Sequence, residues 1–431
     1  MKYLNIQNLT ILLFILPLSF IVGIAVTEFF VFFCIIFFLI LNKDKSLFIE
    51  KKIIFLFLFS TYIFANTYFR ASGDIKIGSI FYFRYILFSL AIFYFCELLS
   101  NYKNKKHFFL LIFCLLILLV DSIFQFFTGF NILGFEIIRD RVSSFFKDEL
   151  ILGSYLVRLL PIILWFMFFF RIDLKKNTIP LLIFFSLYFI TIYLSGGRTS
   201  FFLWIITILG LLIIIKDLRK VLLYSISILM LFISLTTYFK LGKADTFKRI
   251  FVNTYNEITK VEINNKKTEI IKNNEKTEIS KNNEKKLFNF YSTIHEGHIL
   301  LALKLFDENE IFGIGPQGFK EYCRNVNHSP EIGICSTHPH NILIQIILEL
   351  GLIGLIFYII AVVFVLFNFF KSFIKRKLNE DYLSFYAITL GLIINLFPLI
   401  PGGNFFNNWI SIILYYNVGL YIYSYKNCII K

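Results

Sequence analysis

Five of the six histidines in this chain fall between His295 and His340; only His107 lies elsewhere. Imidazole is the side chain whose ordinary pKa allows proton transfer near neutral pH. Two of the five, His338 and His340, stand in C-S-T-H-P-H-N, where an apolar run begins and continues as I-L-I-Q-I-I-L-E-L-G-L-I-G. Glu349 lies nine residues beyond His340, followed by Gly351 and Gly354. Ionisable groups at the mouth of a membrane helix are costly and mark function. The pattern points to a histidine acting as general base at a membrane surface. Glu349, more than two helical turns further along, is expected to orient or support the site. Gly351 and Gly354, three apart, are expected to let a neighbouring helix approach closely. Simple solvation of loop histidines is the bland alternative, and the clustering of five argues against it.

Arginines form a second constellation: Arg84 and Arg158 within apolar runs, Arg139 and Arg141 in a loop, and Arg198 after Ser195-Gly196-Gly197 at a helix start. A guanidinium fork makes bidentate charged hydrogen bonds to phosphate, and the start of a helix also favours anions. Arg198 and Arg141 are therefore expected to bind an anion, with Arg158 as a further substrate-binding group. For Arg84 and Arg158 the competing expectation is snorkelling to the membrane surface or pairing with Asp121, Glu97 or Glu149. Asp121 and Gln125 are expected to satisfy buried partners.

These residues need a scaffold. The chain is 58% hydrophobic and 16% charged, so it reads as an all-α polytopic membrane protein. The apolar runs give about twelve spans, near 8–24, 26–42, 53–69, 77–99, 107–129, 150–170, 178–195, 199–215, 220–239, 341–370, 382–400 and 407–425. A net charge of +15 does not imply a nucleic-acid partner, because Lys and Arg cluster in alternate short loops. By the positive-inside rule that puts both termini in the cytoplasm of an inner-membrane protein. The run after Lys2 has no small-residue cleavage site and is taken as a retained span. Three regions follow: residues 1–240 with nine spans, a loop over 241–340, and residues 341–431 with three more. The Arg198 turn, the Arg139–Arg141 loop and the mouth of the His340 helix all fall outside the cytoplasm.

The loop has two parts. Residues 253–287 contain a tandem nine-residue repeat, K-T-E-I-I-K-N-N-E and then K-T-E-I-S-K-N-N-E, too polar to bury a core and expected to be disordered. Residues 288–340 read as the catalytic part, with a short amphipathic helix over T-I-H-E-G-H-I-L-L-A-L-K-L-F, capped by Ser292. Cys323 and Cys335 face an oxidising compartment and are expected to pair. His295 and His298, or His338 and His340, have spacings that zinc accepts. Pairing of the cysteines removes thiolate ligands, and neither metal nor cofactor is expected. Gly313-Ile-Gly315-Pro-Gln-Gly318 fits G-x-G-x-x-G, yet no strand precedes it, so a loop-shaping turn is the better account.

A base and phosphate binders outside the cytoplasm have no access to nucleotide sugars. Group transfer there needs a donor already carried across, such as a polyprenyl-pyrophosphate-linked glycan. Arginines would offset charge on the departing pyrophosphate, and a histidine would deprotonate an acceptor hydroxyl attacking the anomeric carbon, with inversion.

The segment from His340 to Gly354 resembles the signature of the O-antigen ligase and polymerase superfamily: a histidine with Asn, an apolar helix, then E-x-G-x-x-G. S-G-G-R at 195–198, F-G-I-G-P-Q-G-F at 312–319, V-D-S-I-F-Q-F-F-T-G at 120–129 and R-V-S-S-F-F-K-D-E-L-I-L-G-S-Y at 141–155 resemble further family segments. The resemblance covers most of the chain except 253–287. It implies a multi-span fold with a large periplasmic loop. It also implies metal-independent, inverting transfer from an undecaprenyl-pyrophosphate donor to a lipid A-core or glycan acceptor, as in lipopolysaccharide biosynthesis. By position it makes His340 and Arg198 catalytic. His338, His298, His295, Arg141 and Arg158 are expected to bind substrate. Asn341, Glu349, Gly351, Gly354, Gly313, Gly315, Cys323 and Cys335 are expected to be structural. Ligases of this family carry a loop arginine ahead of the glycine segment; here that region reads Y-S-T-I-H-E-G-H. A repeat-unit polymerase is therefore the nearest alternative to a ligase, and a lipid-linked saccharide transporter the alternative from another class.

Overall fold

The computed structural model describes residues 9–70, 79–102, 104–257, 293–325, 333–375, 377, 379–399 and 401–430. The repeat, His328 and Ser292 lie outside the described residues. Every apolar run in the sequence has a helix. In chain order these are α1 (Leu12–Val22), α2 (Ile24–Leu41), α3 (Lys51–Arg70), α4 (Arg84–Tyr102), α5 (Lys106–Thr128), α6 (Leu152–Phe169), α7 (Thr178–Leu194), α8 (Arg198–Ile214) and α9 (Arg219–Tyr238). Two loop helices follow, α10 (Thr293–Asp307) and α11 (Gly318–Asn325), and then α12 (Ile342–Ile374), α13 (Glu380–Asn395) and α14 (Asn408–Tyr425). Seven of the helices are long and apolar enough to cross a membrane, and α1, α7 and α8 are shorter apolar helices. Among the described residues there is no strand, only the isolated bridges Phe130–Glu136 and Ile138–Arg141.

The middle of the bundle is α6. Nearly all its residues are buried, and it packs on α13 so closely that a β-carbon on Gly391 would lie 2.9 Å from that of Pro161. Buried hydroxyls and indoles must find partners where water is absent. Tyr155 donates to the Pro17 carbonyl at 2.8 Å, Tyr188 to Leu156 at 2.7 Å and Tyr416 to Leu13 at 2.6 Å; Trp165 donates to Ser424 at 2.7 Å. Turn chemistry sets the helix ends. Gly23, at φ 146°, separates α1 from α2, and left-handed Gly129 caps α5. Asn341, Asn379 and Asn407 accept amide hydrogen bonds at the starts of α12, α13 and α14.

The two ends of the bundle differ in chemistry. One end joins basic groups to acids and an aromatic: Arg171 to Glu380 at 3.1 Å, Lys426 to Glu97 at 2.8 Å, and Lys52 over the Tyr425 ring at 3.8 Å. The other end carries α10, α11 and the histidines. Here Arg84 pairs with Glu28 at 3.1 Å and reaches Asn408 at 3.4 Å. This corrects the expected pairing with Asp121, Glu97 or Glu149, because α2 packs beside α4 and brings Glu28 to the same level. Asp121 instead accepts from the Ser144 hydroxyl and the Ile132 amide, and Gln125 accepts from the Ser143 and Ser144 amides. Both side chains satisfy the loop that carries Arg139 and Arg141.

Candidate active site

The loop helix α10 delivers two imidazoles to the mouth of α12. Gly297 sits between His295 and His298, and a β-carbon there would lie 2.5 Å from Ile334. Without one, the segment before His338 presses onto α10, and the Ile334 amide donates to the Gly297 carbonyl at 3.0 Å. The Cys323–Cys335 disulfide ties the same segment to α11. Four imidazoles then meet: ring centroids are 4.0 Å apart for His338–His340, 5.1 Å for His298–His340, 5.3 Å for His295–His340 and 6.1 Å for His295–His298.

Three of the rings, His298, His338 and His340, have hydrogen-bonding neighbours. The Nδ1–H of His298 donates to the Ile334 carbonyl at 2.8 Å, and the Nε2–H of His338 donates to Gly402 at 3.2 Å. Thr337 lies 3.0 Å from Nδ1 of His338, and Ser336 Oγ lies 3.0 Å from Nε2 of His340. His340 itself holds a left-handed φ of 57°, an uncommon backbone for a residue other than glycine. It is fixed on one side by the Gly402 amide, which donates to its carbonyl at 2.6 Å, and on the other by the Asn341 cap, whose side chain also donates to Pro398 at 2.7 Å.

Burial, together with the neighbouring imidazoles, pushes the pKa of His340 down to about 3. Burial and the same neighbours take His338 down to about 4 despite its bond to Gly402. His295 is lowered by burial, then by His298 and Arg198, against the pull of Glu257. At neutral pH His338 and His340 are therefore uncharged, each with a nitrogen lone pair available to accept a proton.

The helix bearing His340 is clasped below the histidines. Gly351, at φ 66° and ψ −165°, breaks α12, which frees the carbonyls of the turn before it. The glycine-rich turn takes up two of them: the Ile314 amide donates to Leu348 at 2.9 Å and the Gly315 amide to Glu349 at 3.0 Å. The Leu352 amide returns a bond to Glu310 at 2.8 Å, and Tyr62 donates to Leu350 at 2.6 Å. A β-carbon on Gly313 would lie 2.5 Å from the Leu348 carbonyl, and one on Gly351 2.2 Å from the Ile311 carbonyl. The close approach at Gly351 is thus made by the glycine turn, not by a neighbouring helix as the spacing suggested. A β-carbon on Gly354 would meet Leu350 of the same helix. Glu349 is fully buried, accepting from Gln345 at 2.9 Å, and Gln345 in turn bonds Asn404 and the Phe405 amide. That chain ties α12 to the 402–405 turn that holds His338 and His340.

Arginines adjoin the histidines. Arg141 donates to the Ser195 carbonyl at 3.0 Å and to Leu150, and Arg249 donates to Gly196 at 3.0 Å and to Arg139 at 3.1 Å. Arg198 donates to the Arg249 carbonyl at 3.2 Å and pairs with Glu257 at 2.6 Å. Arg198 and Glu257 are in turn the charged neighbours of His295. Burial, then Arg249, lowers the pKa of Arg141 to about 10. Arg249 is lowered by burial, then by Arg198. Such mutual repulsion marks a place where an anion is favoured. Arg158 is 2% exposed, donates to Ser154 and stacks over Trp409 at 5.6 Å. Its Nε has no acceptor, and among the described residues no carboxylate pairs with it.

The sequence did not single out Arg249, Glu257, Ser336, Thr337 or the Gly402–Asn404 turn. P-G-G-N at 401–404 carries a turn signature that could have drawn attention to the last. Arg249 is one of several cations in the long loop, and only its bond to the Gly196 carbonyl sets it apart from the others.

The fold and site define a polytopic helical membrane protein with imidazoles and guanidiniums gathered at one end of its bundle. Residues 181–359 match the family model described as O-Antigen ligase, so that segment is similar to the O-antigen ligase family. The matched span runs from α7 to the middle of α12 and holds Arg198, Arg249 and all four clustered histidines. No curated protein matches the chain. The family implies glycosyl transfer of the ligase or polymerase type on lipid-linked glycans.

Proposed function

We propose that the chain transfers a saccharide from undecaprenyl pyrophosphate to an acceptor hydroxyl at the periplasmic face of the bacterial inner membrane. The observation that carries this reading is the junction of the two clusters, where four imidazoles meet and one of them has Arg198 as a charged neighbour. An anomeric carbon bound between them would have its base on one side and its leaving pyrophosphate on the other.

His340 is the base in this scheme. The Ser336 hydroxyl 3.0 Å from its Nε2 stands where an acceptor hydroxyl would approach. The acceptor oxygen attacks the anomeric carbon as its proton passes to His340. The bond to pyrophosphate breaks on the opposite face, which inverts the configuration. Arg198, Arg141 and Arg249 take up the charge on the departing pyrophosphate, and the unpaired guanidinium of Arg158 supplies a further donor toward it. His340 is a weak base in the empty site. Binding of the pyrophosphate favours protonated imidazole and strengthens the base when the donor is present.

Family and site support a ligase, with finished glycan moved to the lipid A-core, and a polymerase, with chains moved onto a new repeat unit. Nothing among the described residues favours transport as the reaction, and the histidine cluster has no role in it. Purified chain in vesicles, given a polyprenyl-pyrophosphate-linked saccharide and an acceptor glycan, is expected to release polyprenyl pyrophosphate and form a new glycosidic bond. Movement of intact donor between leaflets without any new bond would establish a transporter instead.

A further inference from the structure

At the opposite end of the bundle from the histidines, an apolar cavity of about 310 Å³ opens between α3, the lower half of α12 and the floor made by α13 and α14. Leu56, Ala361, Phe364 and Tyr421 line it, and Lys51 and Lys52 stand at one end. Lysines at the ends of membrane helices are common; here two of them border an apolar slot. Lys52 is held in place, its Nζ 3.8 Å from the Tyr425 ring centroid and 3.9 Å from Glu50. Lys51 is exposed and has no ion-pair partner among the described residues. Two cations against one carboxylate leave the mouth positive beside a slot that only hydrocarbon would fill.

We propose that this groove binds an anionic phospholipid, its phosphate on Lys51 and Lys52 and an acyl chain along Ala361 and Phe364. Both halves of the site then have a partner: the slot takes hydrocarbon, and the lysines take the charge of an anionic headgroup. A polyprenyl pyrophosphate whose head is held at the arginines would bring only its uncharged tail to this slot, leaving the lysines without a partner. An apolar helix from a second copy would bury Lys51 with no counter-charge, which is costly. The site lies apart from the arginine and histidine clusters and does not depend on the reaction proposed for them.

The test uses the full chain in detergent with equimolar phosphatidylglycerol and phosphatidylethanolamine, and native mass spectrometry to identify retained lipid. Wild type is expected to keep one phosphatidylglycerol in clear preference. Lys51→Gln is expected to weaken retention about fivefold, and Lys51→Gln with Lys52→Gln about 25-fold. Ala361→Trp, which fills the slot and leaves both lysines, is expected to abolish retention. Unfolding is monitored by melting temperature, and the exposed Lys51→Gln alone carries the charge arm if the double variant is unstable. Equal retention of the two lipids, or undiminished retention by Ala361→Trp, would overturn the proposal. So would displacement of the phospholipid by equimolar polyprenyl phosphate, or a lipid-free dimer that buries the groove.

Discussion

Replacing Gly351 with alanine tests whether the glycine turn holds the helix that follows His340 in place. The added methyl would lie 2.2 Å from the Ile311 carbonyl oxygen and 2.6 Å from the Phe312 nitrogen, both backbone atoms that cannot swing away. The backbone at φ 66° and ψ −165° is in a region essentially confined to glycine, worth about 1–3 kcal/mol against alanine. Forced overpacking adds about 1–3 kcal/mol. The clasp it opposes has four backbone bonds, from the Ile314, Gly315, Leu352 and Ile353 amides, each worth about 0.5–1.5 kcal/mol net. The cost of roughly 2–6 kcal/mol is therefore comparable with what those bonds contribute to holding the turn on the helix. Gly351→Ala is expected to release the turn while the bundle stays folded. Hydrogen exchange should speed up at the Ile314 and Gly315 amides and stay slow in α13. Misplacement of His340 by the loosened helix should lower transfer about 100-fold. Wild-type protection at Ile314 and Gly315 together with full activity in this variant would refute the clasp.

Arg249→Lys keeps the charge but loses the fork; it is expected to lower kcat/KM for transfer about 10–100-fold, and an unchanged value would remove Arg249 from the site. With His340 at about 3 and His338 at about 4 in the free protein, kcat/KM should stay level from pH 8 to 5 and fall only below that. The kcat profile, which reports the donor-bound state, should fall at a higher pH; coincident profiles would exclude strengthening of the base by the donor. The same two histidines make folding pH-dependent. Their folded pKa values lie below the unfolded 6.5, so the stability they contribute is complete above pH 6.5 and is lost as pH falls toward 3. In His340→Asn part of that loss should disappear from a melting-temperature series. Cys323 and Cys335 should resist alkylation until reductant is added, and reduction should lower activity by freeing the segment before His338; two reactive thiols in the untreated protein would contradict the pairing.

Much of the helical architecture was legible because lipid leaves the backbone few choices: continuous apolar runs must be helices, and each run has one. The clustering of histidines near one helix mouth was legible too, since α10 follows from its amphipathic pattern and the Cys323–Cys335 pair from two thiols in one loop. What was hidden is the meaning of glycines and of distant cations. Gly351 and Gly354 have the spacing of a helix-packing face, and only backbone angles reveal that Gly351 breaks the helix and receives Ile311 and Phe312. The glycines at 313 and 315 and those at 351 and 354 read as two motifs, yet one contact explains Gly313, Gly315 and Gly351 together. Arg249 could not be told from other loop cations until the fold brought it onto Gly196. The partner of Arg84 was missed because Glu28 lies 56 residues away and pairing depends on which helices are neighbours.

The central claim is that His340 removes the proton from the acceptor. It is tested most directly by in vitro transfer with purified wild-type and His340→Ala protein, identical donor and acceptor, and product analysed for anomeric configuration. Loss of transfer by at least about 100-fold, with donor still bound and wild-type product inverted, is the expected result. His340→Ala protein that turns over at the wild-type rate, or wild-type product that retains the donor configuration, would contradict it.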